Sequence, residues 1–248
     1  MSAVRSAVAL LTRFPVATAE TDSPGAAAFG LVGAGVGLIG AIPYTVVAGT
    51  LAEPWLGAIA AIATMALVTG ALHLDGLADT ADAVMAVDLE ASERARKDPH
   101  VGTGGLVAIV LVVTAEIAAL VSLAPGGATR GAMVLIVVAS ASRVVPVLVT
   151  LGIGRATDLT TTHLGAWFAD HVTSIHAATA LVSAAIITVA LTVIGGLVVP
   201  LAAIAALLGG TAAGGAIVAL RGGLDGDGMG AAVELSVVIG LVAAVLAS

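Results

Sequence analysis

Three aspartates stand at positions 75, 79 and 82 within the run His73-Leu74-Asp75-Gly76-Leu77-Ala78-Asp79-Thr80-Ala81-Asp82. In a helix, 100° per residue puts their carboxylates within about 60° of arc on one face. Like charges at i,i+4 repel and weaken a helix unless a cation lies between them. Beside hydrocarbon the cost rises, and such groups must be paired, solvated or metal-bound. Mg²⁺ suits the pattern, because it takes oxygen ligands, keeps several waters, and is usually held by one or two carboxylates together with substrate phosphates. Asp75, Asp79 and Asp82 are therefore the candidate metal ligands. The plainer alternative is a solvated acidic helix end.

Two other segments carry features suited to phosphate. Arg94, Arg96, Lys97 and Asp98 lead through Pro99, His100 and Val101 into Gly102-Thr103-Gly104-Gly105. Cations followed by a glycine-rich turn at a helix start can set charge and backbone N–H groups against a phosphate. The same cations also serve as topology signals. The second segment is Arg221-Gly222-Gly223-Leu224-Asp225-Gly226-Asp227-Gly228-Met229-Gly230, with Glu234 just beyond. Its glycines permit close backbone approach to a ligand, and Asp225 and Asp227 add oxygen donors. No Gly-Lys-Ser/Thr follows, so it is not a Walker loop, and the EF-hand spacing is absent. Glu116 and Arg143 fall in neighbouring apolar segments and form a candidate intramembrane pair. His163, Asp170, His171 and His176 are scattered in a polar loop and are expected to face water rather than metal.

The elements that must hold these residues are apolar. Of 248 residues, 59% are hydrophobic and 10% charged, with a mean hydropathy of +1.15; a soluble domain carries about 25% charge. Too few charges exist to coat a soluble globule, and the apolar residues run unbroken. An all-α, polytopic membrane protein follows, read as one integral domain over residues 1–248. Spans of about 20 apolar residues are predicted near 26–50, 55–73, 104–124, 131–153, 177–199 and 201–220. A seventh, near 229–247, gives six or seven in all. Pro54, Pro125-Gly126-Gly127 and Pro200 are expected to mark turns between spans. Residues 1–19, interrupted by Arg5 and Arg13, read as an interfacial or partly inserted helix rather than a cleaved leader. The formal charge of −7 leaves no basic footprint for nucleic acid. Without cysteine, disulfides and thiolate chemistry are excluded.

Counting Lys and Arg near span ends gives the expected orientation. With the N-terminus in the cytoplasm, Arg5, Arg13, Arg94, Arg96, Lys97, Arg155 and Arg221 share the cytoplasmic side and Arg130 alone lies opposite. The polar loops 75–103, 154–176 and 221–228 then face the cytoplasm from a plasma or inner membrane.

The acidic run at 73–82 resembles the signature of the cobalamin synthase family, the adenosylcobinamide-GDP ribazoletransferases. Asp98-Pro99-His100-Val101-Gly102-Thr103 and the segment 222–234 are similar to further family motifs, in the same order. Arg13-Phe14-Pro15 and Ser142-Arg143 also fit, so the resemblance covers nearly the whole chain. The chain departs from the family pattern at Gly104, where Phe is usual, at His100, where Arg or Lys is usual, and at Asp225, where Thr is usual.

The resemblance implies a transferase joining α-ribazole, or its 5′-phosphate, to adenosylcobinamide-GDP with release of GMP, late in cobalamin biosynthesis. It implies Mg²⁺ on Asp75, Asp79 and Asp82, and catalytic duty for these three and Asp227. It further implies substrate or phosphate contacts from Arg94, Arg96, Lys97, Asp98, His100, Gly102, Thr103, Gly222 and Gly223. A homo-oligomer is compatible with this reading. Two other readings compete. A CDP-alcohol-type phosphotransferase would need Arg where Asp79 stands, and an ion-coupled transporter would set its acids mid-span in inverted repeats.

Overall fold

The computed structural model describes residues 3–17, 23–86, 100–153 and 163–248. Among them are ten α-helices. They are α1 Ala3–Leu11, α2 Phe29–Tyr44, α3 Pro54–Thr69, α4 Leu72–Met85, α5 Thr103–Leu123, α6 Ala128–Ile153, α7 His163–His171, α8 Ser174–Gly195, α9 Val198–Arg221 and α10 Gly226–Leu246. A π-helical extension, Thr45–Thr50, prolongs α2.

Six helical stretches are long and apolar enough to cross a membrane: 26–50, 103–126, 128–152, 174–195, 198–221 and 226–246. The architecture is an all-α polytopic membrane protein. Helix α6 sits at its centre and is buried along nearly its whole length, with α2, α8, α9 and α10 around it. A helix apolar on every side is one that has neighbours on every side. Contacts between helices rely on small residues, which let membrane helices approach closely. The hydroxyls use the buried carbonyls between them. Ser140 donates to Gly30 O at 2.7 Å, Ser236 to Ala206 O at 2.8 Å and Tyr44 to Leu120 O at 2.7 Å.

The segment predicted as a straight span over 55–73 is instead two helices. α3 stops at Thr69, and α4 leaves it at 90°. Gly70 (φ +63°) and Ala71 (φ +57°) are both left-handed, which ends one helix and re-aims the next. The Arg13 side chain lies directly over Gly70, where no Cβ fits, and the Arg13 N–H donates to Val68 O at 2.8 Å. The acidic run therefore lies on a separate helix at a right angle to α3 rather than on a straight continuation of it.

Pro200 also departs from expectation. It lies in the first turn of α9 rather than between spans, where the first N–H groups have no helical partner to lose. The chain turns instead at Gly196, with φ +77°. The loop 154–176 contains α7, and the N-terminal segment forms the short helix α1, which buries Ala7 and Leu11.

Candidate functional site

Helix α4 forms one wall of the site. Asp75 is exposed, while Asp79 and Asp82 are half-buried. Their shared face is as expected, but the three carboxylates have different surroundings. Asp82 Oδ2 accepts the Gly102 N–H at 2.7 Å and Oδ1 accepts the Gly105 N–H at 2.8 Å. It thereby satisfies two of the N–H groups left open at the start of α5. A Cβ at Gly102 or Gly105 would collide with this carboxylate, so the glycines make room for Asp82. His100, Gly102, Thr103 and Gly104 line a cavity of about 530 Å³ together with Asp82 and Met85.

The other wall is the start of α10. Gly76 faces it so closely that a Cβ there would lie 2.8 Å from Asp227 O and 3.0 Å from Asp227 Cα. This close approach brings Asp227 to the Asp75 end of α4. Both line an apolar pocket of about 170 Å³ with Leu11, Phe29, Phe168 and Met229. Asp225, in contrast, is buried and structural. It takes both Arg221 guanidinium nitrogens at 3.0 and 2.7 Å and caps α10 through the Gly228 N–H at 2.8 Å. Arg221 also donates to Thr80 at 3.1 Å, tying α9 to α4. Gly222 (φ +72°) ends α9, and Gly223 is buried beneath the turn.

Crowding of like charge shows at Asp79. Partial burial first, then the negative charges of Asp75 and Asp82, push its carboxyl above the usual range, against the opposing pull of Arg221. A nearby cation would relieve this. Among the described residues no three His, Asp or Glu side chains converge into a ready-made metal cage. Two carboxylates on one helix face suit an ion completed by phosphate oxygens and water, which is the ordinary way Mg²⁺ is held.

The structure brings together Asp75, Asp79, Asp82, Asp227, His100, Gly102, Thr103, Gly222 and Gly223 at one end of the bundle. Arg94, Arg96, Lys97 and Asp98 lie outside the described residues. The loop histidines serve locally: His171 Nδ1 hydrogen-bonds Trp167 O at 2.8 Å, and His176 shares a capping box with Thr173. Deeper in the bundle, Glu116, Arg143 and Glu234 form a buried group, 3%, 3% and 9% exposed, around a cavity of about 20 Å³. Sequence reading named the first two as a pair. It missed Glu234 as the third member, although its spacing of seven from Asp227 places both on one face of α10.

The family described as Cobalamin-5-phosphate synthase matches residues 3–245. An adenosylcobinamide-GDP ribazoletransferase of Citrobacter koseri is 32% identical over 248 aligned residues, covering 95% of this chain and 96% of that protein. Proteins of the same name match over shorter stretches. One from Thiobacillus denitrificans is 44% identical over 35% of this chain and 34% of its own, and one from Pyrobaculum aerophilum is 42% identical over 46% and 47%. These two matches thus span about a third and a half of those relatives. No solved structure matches.

Proposed function

Because the chain belongs to the cobalamin-5-phosphate synthase family, we propose that it transfers ribazole to adenosylcobinamide-GDP at the end of the bundle where α4, α5 and α10 meet. In that reaction a ribazole hydroxyl attacks the cobinamide-linked phosphorus. A new P–O bond forms, the bond to the outgoing phosphate breaks, and GMP leaves. Catalysis of such a step is mostly positioning and charge neutralisation.

One observation carries the reading. Asp75 opens onto the smaller pocket, Asp82 onto the larger cavity, and Asp79 lies between them. Seven helical residues separate the ends, about 10 Å at 1.5 Å each, so one acidic face links two ligand-sized spaces. Asp75 and Asp79 would hold Mg²⁺, which supplies positive charge against the diphosphate and the departing GMP. Asp82 keeps a second lone pair on each oxygen, but its first task is fixing the α5 entrance. Asp227, across from Gly76, is the proposed acceptor of the hydroxyl proton. His100, Gly102 and Thr103 would face the nucleotide phosphates, with Arg94, Arg96 and Lys97 as further candidates by sequence.

Full-length protein in detergent, given adenosylcobinamide-GDP, α-ribazole and Mg²⁺, is expected to release one GMP per cobalamin formed. Release should stop when EDTA is added and return with excess Mg²⁺. GMP release undiminished by EDTA would remove the metal from the proposal while leaving the transfer in place. A transporter would release no GMP.

The site is proposed to face the cytoplasm of a plasma or inner membrane, since seven of the nine Lys and Arg residues lie near that end by sequence. A single cysteine introduced at Gly222 should be shielded from a membrane-impermeant maleimide in intact cells and labelled once inverted vesicles are used. Labelling from outside intact cells would reverse the orientation.

A further inference from the structure

We infer that the pocket bounded by α1, α2, α7 and α10 holds the heterocyclic base of the ribazole acceptor. This rests on the transfer reading above and adds where the acceptor lies. The pocket encloses about 170 Å³. An apolar cavity of roughly 150 Å³ accommodates benzene, and drug-sized ligands need roughly 300 Å³ or more. One fused ring system fits, whereas a corrin or a whole nucleotide does not.

The lining distinguishes the base of the acceptor from the guanine and adenine of the donor. Leu11, Phe29, Phe168 and Met229 contribute apolar surface, with Phe29 and Phe168 each 2% exposed and their ring centroids 5.8 Å apart. Guanine and adenine carry several donors and acceptors on their edges, and the lining offers polar side chains only from His73, Asp75 and Asp227, so a purine finds fewer partners there than it needs. The dimethylbenzimidazole of ribazole carries two methyl groups and only one ring nitrogen free of the sugar. An aromatic, Leu-rich wall with one methionine favours that ring. Asp75 and Asp227 share the same pocket, so the ribose attached to a seated base meets the two carboxylates. The nucleotide end of the donor is left with the larger cavity at the Asp82 end.

Two variants test this. Phe168→Ala removes a wall of the pocket. Leu164→Trp fills it from the rim, where Leu164 is 45% exposed and lies against Gly226. In both, KM for α-ribazole is expected to rise at least tenfold while KM for adenosylcobinamide-GDP stays within twofold. Independently of turnover, free 5,6-dimethylbenzimidazole should raise the Tm of the wild-type chain in detergent but not that of Leu164→Trp. An unchanged ribazole KM in folded Leu164→Trp, or an equal rise for both substrates, would overturn the assignment. Should the wild type release no GMP, the transfer reading fails on its own. The thermal shift then still decides the pocket: a shift lost in Leu164→Trp supports an aromatic-base site, and no shift in the wild type rejects it.

Discussion

Asp79→Asn is expected to lower GMP release by about 10³-fold while leaving the protein folded. Charge stabilisation by a bound metal is worth several kcal/mol, and each 1.4 kcal/mol is tenfold in rate. Asp79 is the middle carboxylate on α4, where burial first, and then the charges of Asp75 and Asp82, raise its carboxyl above the usual range, so a cation beside it would be favoured. An amide keeps the shape and removes the charge, so the loss should fall on kcat rather than on the amount of folded protein. Asp82→Asn should behave differently. Both Asp82 oxygens accept N–H groups at the α5 entrance, and losing a helix cap costs about 0.5–2 kcal/mol. A drop in Tm is therefore expected with Asp82→Asn and not with Asp79→Asn.

The same residue gives a pH signature. A carboxyl whose folded pKa is raised contributes stability that is fully present below its unfolded value and is lost as pH rises through the raised folded value. In EDTA, the Tm of the wild type relative to Asp79→Asn should therefore decline as pH rises through the carboxylate range into neutrality. Mg²⁺ at neutral pH should restore it in the wild type and do nothing for Asp79→Asn. A Tm difference that does not change with pH, or an equal response to Mg²⁺ in both proteins, would take Asp79 out of the metal site.

The membrane architecture was legible because hydrocarbon imposes a simple rule: about 20 apolar residues in a row. Six stretches in the structure follow the predicted runs closely. The bend before α4 was not legible, since hydropathy carries no information about φ. Gly70 could have hinted at a break, but Ala71 is left-handed too, and Arg13, far back in the chain, packs over this turn and donates to Val68 O. The shared face of Asp75, Asp79 and Asp82 depended only on helical periodicity, and it holds.

What separates their roles was hidden, because it depends on long-range partners. Asp82 meets Gly102 and Gly105 about twenty residues on, and Asp227 reaches α4 through the bare backbone of Gly76. Asp225 looked like a second oxygen donor, yet Arg221 four residues earlier takes both of its oxygens. That i,i+4 spacing was visible and points to a pair.

The buried charges beneath the site lead to the second large effect. Arg143 stands in the central helix α6, with Glu116 of α5 and Glu234 of α10 as its electrostatic partners. It donates to Ser142 at 3.0 Å, and all three charged groups are shielded from solvent. Arg143→Met removes the only cation of the group and leaves two carboxyls facing each other in an apolar core. Breaking a buried charge group in this way costs about 3–5 kcal/mol, a large share of the roughly 5–15 kcal/mol that holds a domain together. The variant should therefore accumulate poorly and melt far below the wild type in detergent. Adding Glu116→Gln and Glu234→Gln removes the uncompensated charge and should restore most of the Tm, because neutral groups in the same shape carry no such penalty. If the rescued triple variant also releases GMP at near the wild-type rate, the buried group holds α5, α6 and α10 in register and takes no part in the chemistry. A triple variant as unstable as Arg143→Met would instead mean that the side chain's packing, rather than its charge, carries the effect.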